Sequence, residues 1–314
     1  MSVSLVVEGG GMRGFYSMGV LSRMLDEGIR LPRVIAVSSG ALAAARYLAG
    51  KTGVGFVREL GGTRDLLRPA GLVSPRGGLL RTSGFIDRAV PRDVLDAALC
   101  SGAHLEVSAV RARDAQLTWW ASDDLASADE LRERIVASCS IPVVMPIATV
   151  GGEVYVDGGI RDSIPIDRAR DEGVTHHVAL LTRPRLYRKG RQHLELYLRW
   201  WLRPYPALRR AMLERHLSYN SSMLLAKSEE DAGRAFVFRP GKTFMRRFEV
   251  NPEKFRVAYE AGRADCAARM PALVSFLDSA TDAPALRGAA VDAGMRDSHG
   301  MRPVADGRKA AGGR

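Results

Sequence analysis

Cysteine is scarce in this chain: Cys100, Cys139 and Cys266 are the three among 314 residues, too widely spaced for a disulfide framework or a zinc cluster. Long apolar runs are lacking as well. No stretch approaches the roughly 20 residues needed to cross a bilayer, and the opening MSVSLVVEGGG has neither a basic segment nor a cleavage site of the secretory kind. Compositional disorder is excluded, because 46% of residues are apolar and 26% charged, enough to bury a full-sized core. A soluble, cytoplasmic protein in a reducing compartment is expected, with no metal site and no cofactor. One or two domains fit the length.

Acidic residues are in deficit, and the net charge is +11. The excess is local. Between Arg183 and Arg215 ten Lys or Arg face two Glu, interleaved with Tyr187, Tyr197, Trp200, Trp201 and Tyr205. A solvated helical face with its aromatics turned inward is one reading. A docking surface for an anionic membrane, with Trp200 and Trp201 settling at the interface, is another. No recognised motif accompanies the charge to suggest nucleic acid. From Thr281 to Arg314 the chain is rich in Gly, Ala, Pro and Asp with little periodicity, so 281–314 is expected to be a disordered tail after a compact 1–280.

No internal repeat is visible, and short β-branched runs alternate with helical patterns, as in an α/β layered fold. Ser2 to Glu8 reads as a buried strand. Beyond a glycine cluster, Phe15, Met18, Leu21, Met24 and Leu25 form a helical stripe that stops at Gly28. A second strand, Arg33 to Val37, leads into the small-residue helix SGALAAARYLA. The region from Gly50 to Gly84 holds nine glycines and two prolines and reads as a long loop. Later strands are expected near Leu105 to Val110, Gln116 to Trp120, Glu153 to Val156, His176 to Leu181 and Ala235 to Phe238, before a closing helix from Pro252 to Leu277.

Three strand-to-helix junctions could carry chemistry. In the first, Gly9, Gly10, Gly11, Met12, Arg13 and Gly14 place bare backbone N–H groups at a helix N-terminus, where an anion binds. The same letters satisfy G-x-G-x-x-G, but a dinucleotide site expects an acidic residue after the second strand, where Ser38, Ser39 and Gly40 stand. A tight turn without a ligand remains open. Ala36-Val37-Ser38-Ser39-Gly40 resembles the G-x-S-x-G nucleophile elbow with alanine for the first glycine, and Ser38 alone has the register to Gly40. An ordinary serine helix cap is the alternative. The third junction is Asp157-Gly158-Gly159 after EVYV, a carboxylate at a strand end that could also be a plain turn.

In this order the three junctions resemble the patatin-like phospholipases, over roughly residues 3 to 170, and YNSSMLLAKSEEDAGRAFVFRPGK with RFEVNPEKFRVAYEAG resembles the C-terminal part of a bacterial subgroup. The resemblance implies a three-layer α/β fold, a central mostly parallel sheet with helices on both faces. It also implies a lipid acyl hydrolase in which Gly9 to Gly14 supply the oxyanion hole, Ser38 is the nucleophile and Asp157 its only partner, with Ala36 and Gly40 completing the elbow. The substrate class the resemblance implies is a (lyso)phospholipid or related lipid; a catalytically impaired lipid-binding protein is the alternative, since Ala36 departs from the pattern. His104, His176, His177, His193, His216 and His299 offer no evident base, so a Ser-Asp dyad is expected. Arg13 could hold a phosphate or pair with an acid beneath the loop, Cys139 reads as buried filler, and Ser39, out of register, is expected to be dispensable.

Overall fold

The computed structural model describes residues 3–53, 78, 82–171, 173–191 and 195–282. Nearly all of the glycine-rich region before Gly84 and all of 283–314 lie outside them, and with them the expected loop and tail.

The frame is a sheet whose strands, among the described residues, are β1 (Val3–Val7), β2 (Arg33–Val37), β3 (His104–Arg111), β4 (Leu117–Ala121), β5 (Ala148–Val150), β6 (Glu153–Asp157), β7 (His176–Leu180) and β8 (Ala235–Phe238). Their order is β5-β6-β3-β2-β1-β7-β8, with β4 also pairing β3. β3, β2, β1, β7 and β8 run parallel; β4 and β6 pair antiparallel with β3, and β5 with β6. The mostly parallel sheet follows from apolar strands that must be covered on both faces. Side chains alternate accordingly. Leu5, Val7, Val34, Ala36, Val178 and Leu180 enter the larger core, while Val6, Ile35, Ala179 and Leu181 enter the opposite one.

The larger core is closed by α1 (Gly14–Asp26), α2 (Ser39–Leu48), α3 (Thr82–Ala89), α4 (Arg92–Leu99), α5 (Ala128–Cys139) and α9 (Pro252–Ala268). The opposite face carries α6 (Ile166–Asp171) and α8 (Pro206–Asp231), through Ile166, Ala169, Tyr219, Met223 and Ala226. A neighbouring cluster holds Trp201, from α7 (Glu195–Trp201), and Leu208. α1 and α9 cross at a reciprocal glycine contact: a Cβ on Gly19 would lie 1.9 Å from the Tyr259 carbonyl oxygen, and one on Gly262 2.1 Å from that of Tyr16. Phe15 stacks on Phe255 beside it, ring centroids 4.6 Å apart. The C-terminal helices are thereby seated on the first helix.

The expected closing helix is two helices, α9 and α10 (Met270–Asp282). Pro271 has no N–H to continue the ladder of α9, which ends at Ala268. α10 also carries helical structure to Asp282, past the expected boundary at residue 280.

Candidate active site

Sheet register brings the second and third junctions together. Val37 pairs with Ser108, so Ser38 falls level with Ala109, and Ala109 is paired on its other side with Asp157. Ser38 and Asp157 thus flank the same point of β3. The Ser38 hydroxyl donates to Asp157 Oδ2 at 2.6 Å, and each residue is only 4% exposed.

The junction between β2 and α2 has the backbone of an elbow. Ser38 adopts φ 55, ψ −127, a conformation costing a non-glycine residue about 1–3 kcal/mol. It is held there by its own N–H, donated to Ser138 Oγ at 2.8 Å, and by the close seating of α2, where a Cβ on Gly40 would lie 2.5 Å from the Val7 carbonyl oxygen. Ala36 is fully buried in the larger core, so its methyl is accommodated there. On the other side, Asp157 Oδ1 accepts the Gly159 N–H at 2.7 Å, and the Asp157 N–H donates to the Ser140 carbonyl at 2.9 Å.

Arg215, far along α8, completes the Asp-Gly-Gly turn. Its guanidinium donates to the Gly159 carbonyl (2.5 Å) and to Ser163 Oγ (3.1 Å). Burial and the nearby Arg247 charge push it down to about 9, while the Asp157 carboxylate pulls it up. The sequence gives no local signal for this role, since Arg215 stands in a run of ten basic residues.

The glycine loop runs against Ser38: a Cβ on Gly9 would be 3.1 Å from that of Ser38. Three of its N–H groups are engaged by partners outside the loop, Gly9 with the Ser163 carbonyl (3.0 Å), Gly10 with Ser39 Oγ (2.9 Å) and Met12 with the Arg247 carbonyl (3.0 Å). Among the described residues the Gly11 N–H has no partner, and Gly11 sits at φ 60, where a Cβ would lie 2.6 Å from that same Arg247 oxygen. Ser39, expected to be dispensable, is therefore a brace of the loop.

Cys139 is 3% exposed and beside the pair; burial and the Asp157 charge push its thiol well above its ordinary range, against the effect of a hydrogen bond with Ser38, so it stays protonated. The described histidines lie elsewhere: His104 bonds Glu106 and Asp123, His177 bonds Ser4, His176 bonds Thr175 and His216 bonds a carbonyl in its own helix. His193 and His299 lie outside the described residues. No group of three His, Cys, Asp or Glu capable of holding a metal occurs among the described residues. Asp157 opens onto a cavity of about 190 Å³ lined chiefly by apolar side chains, Ile141, Val143, Val144, Ile160, Leu198 and Met212 among them, with Arg247 and Phe248 at one wall.

Residues 5–170 match the patatin-like phospholipase family, and the chain belongs to that family. Residues 205–278 match a further domain of unknown function, DUF6363. Among curated relatives, an uncharacterized NTE family protein of Mycobacterium tuberculosis is 28% identical over 177 residues, 52% of this chain and 27% of that protein. The 1-acylglycerol-3-phosphate O-acyltransferase Pnpla3 of Mus musculus is 29% identical over 175 residues, 52% of this chain and 40% of that protein. The chain thus spans well under half the length of these relatives. The crystal structure of VipD from Legionella pneumophila shares the fold, with a TM-score of 0.50 and 16% identity over 88% of this chain and 66% of that one.

Proposed function

We propose that this protein is a serine acyl hydrolase that cleaves fatty acyl esters of (lyso)phospholipids or related lipids through a Ser38-Asp157 dyad. The observation that carries the reading is the 2.6 Å hydrogen bond between a serine on a strained elbow and a buried carboxylate. As Ser38 Oγ attacks the ester carbonyl, its proton passes to Asp157 Oδ2. The tetrahedral oxyanion is met by the Gly11 N–H, a donor of the kind worth about 3–4 kcal/mol. Collapse breaks the C–O bond and returns the proton to the leaving alcohol; water then adds to the acyl-serine, Asp157 takes its proton, and as the acyl–Oγ bond breaks that proton passes to Ser38 Oγ and the fatty acid leaves. The cavity beside Asp157 holds the acyl chain. Arg215 positions the carboxylate through the Gly159 turn.

One hydrolase domain includes the C-terminal helices, as the Gly19–Gly262 crossing supports. No described helix is long and apolar enough to cross a membrane. The protein works peripherally at an anionic membrane from the cytoplasm, a reading favoured by Leu186, Leu196 and Trp200, which are 92%, 83% and 53% exposed beside the basic residues of 183–215. Free Cys100, Cys139 and Cys266 fit a reducing compartment.

Hydrolysis of a lipid panel by wild type, Ser38→Ala and Asp157→Asn tests the proposal. Each substitution is expected to lower kcat at least about a thousandfold with circular dichroism unchanged. Retained turnover in Ser38→Ala overturns it.

A further inference from the structure

Across Arg247 and Phe248 from the apolar slot lies a second cavity of about 580 Å³. Six basic side chains line it, Arg13, Arg183, Lys189, Arg246, Arg247 and Lys254, and apart from Lys254, which is paired with Glu249, none forms an ion pair among the described residues. The acids nearby are already committed. Glu249 is bonded by Lys254 (2.8 Å) and by the N–H groups of Val250 and Asn251, while Glu8 receives the Thr182 N–H (2.5 Å) and the Tyr219 hydroxyl (3.0 Å).

Arg13 is the most telling member. It is 6% exposed, its Nε is buried without a hydrogen-bond partner, and no acid reaches it at ion-pair distance among the described residues, the buried Glu8 acting on it through charge alone. Burying a guanidinium in this way is costly unless an anion answers it. The other walls are also arranged for an anion: Arg183 stacks on Tyr187 (4.2 Å) and donates to Thr243 Oγ1 (3.2 Å), and Lys189 lies over the Tyr219 ring (4.8 Å). Burial and the charges of Arg215, Arg247 and Arg13 depress the Lys189 ammonium to about 6, against the pull of Glu8. The guanidinium groups therefore crowd the Lys189 amine, which regains its proton when an anion sits among them.

From this we infer that the basic cavity binds the terminal phosphate of a lipid phosphomonoester whose acyl chain occupies the apolar slot, so that the protein prefers lysophosphatidate-type substrates over neutral or zwitterionic lipids. A choline or ethanolamine ammonium would meet the same basic lining and, among its residues, no acid but Glu249, already paired with Lys254. The proposal rests on the acyl hydrolase reading for its acyl half, whereas anion binding stands on the cavity alone.

The test uses the full chain in two measurements. First, kcat/KM is compared for lysophosphatidic acid and for the monoacylglycerol of the same chain, with a short neutral nitrophenyl ester reporting the dyad. At least about a tenfold preference for the phosphate lipid is expected, and Arg183→Gln with Lys189→Met is expected to cut that ratio about tenfold or more. Arg246→Gln, on the exposed rim, gives a smaller cut and serves if the double variant does not fold. A ratio near one in wild type, or one unmoved by the variants, overturns the inference. Second, Ser38→Ala is titrated calorimetrically with glycerol 3-phosphate and with inorganic phosphate. Saturable glycerol 3-phosphate binding that the double variant loses supports it. Binding of inorganic phosphate as tight as that of glycerol 3-phosphate, without lipid preference, assigns the cavity to free phosphate and overturns the lipid half. If the short ester is not hydrolysed the hydrolase reading fails, and the calorimetry still decides whether the cavity takes a phosphate ester.

Discussion

Ser38 and Asp157 reach each other from strand ends that lie within the first 170 residues, on two of the three short strand-to-helix junctions. Arg215 and Arg247 come to the same place from the later chain, one with a guanidinium, the other with a backbone carbonyl. The early half provides groups whose residue type matters at fixed spacing. The later half provides braces and charge, for which position in space matters and spacing does not. The difference teaches where a motif can be read and where it cannot.

The contrast is sharpest at two adjacent tryptophans of the later half. Trp201 is 1% exposed in the core beneath α8, its indole N–H without a partner, whereas Trp200 is half exposed. Trp201→Ala is expected to destabilise by about 3–5 kcal/mol in urea unfolding, Trp201→Phe by distinctly less because the unpartnered N–H disappears with it. Trp200→Ala should leave the midpoint nearly unmoved while weakening binding to anionic vesicles. A stability loss at Trp200 equal to that at Trp201 would break the division into core and surface.

The seam between the halves, β1 against β7, gives the next effect. His177, 1% exposed and 2.9 Å from Ser4 Oγ, is pushed by burial down to about 4, against the pull of Glu229. Between its ordinary 6.5 and that value the unfolded chain binds a proton that the folded chain refuses, so stability falls as pH drops through this window, by up to about 3 kcal/mol. Asp162, raised by burial to about 6, acts with opposite sign over nearly the same range. The quantity to measure is therefore a difference: urea midpoints between about pH 7 and pH 4.5 should fall more steeply for wild type than for His177→Gln. Parallel curves would show that the seam admits water.

The smallest effect lies in the early half. Ser39→Ala removes the acceptor of the Gly10 N–H, a bond worth about 1 kcal/mol, and kcat on a short ester is expected to fall about five- to tenfold. A silent Ser39→Ala would mean that Gly9 and Met12 hold the loop alone.

Much of the sheet is legible in the sequence because parallel strands buried on both faces read as continuous apolar runs. VSLVV and HHVAL fall where expected, and the strand expected over Gln116 to Trp120 lies one residue later. β5 escapes because three residues carry no period. α5 announces itself only by Ser127, whose hydroxyl caps Glu130, a signal easily passed over in a charged stretch. The basic run defeats a reading by composition, since neighbours on a helix point about 100° apart and Trp200 and Trp201 separate into solvent and core. Ser38, Asp157 and the glycines are legible as a constellation. Ser39, Arg215 and Arg247 are not, because their partners are set by the fold and by no local pattern.

The hydrogen bond from Met12 to the Arg247 carbonyl has a consequence in time. A ribosome delivers the glycine loop among the first residues and the carbonyl that fastens it only after most of the chain has emerged, on the order of tens of seconds later. Until then the loop lacks one of its three anchors, and the crossing of α1 with α9 cannot form. A nascent chain already carrying its serine and aspartate is therefore still unfinished at the loop beside them. Truncation anywhere before Arg247 would hold the protein in that unfinished state permanently.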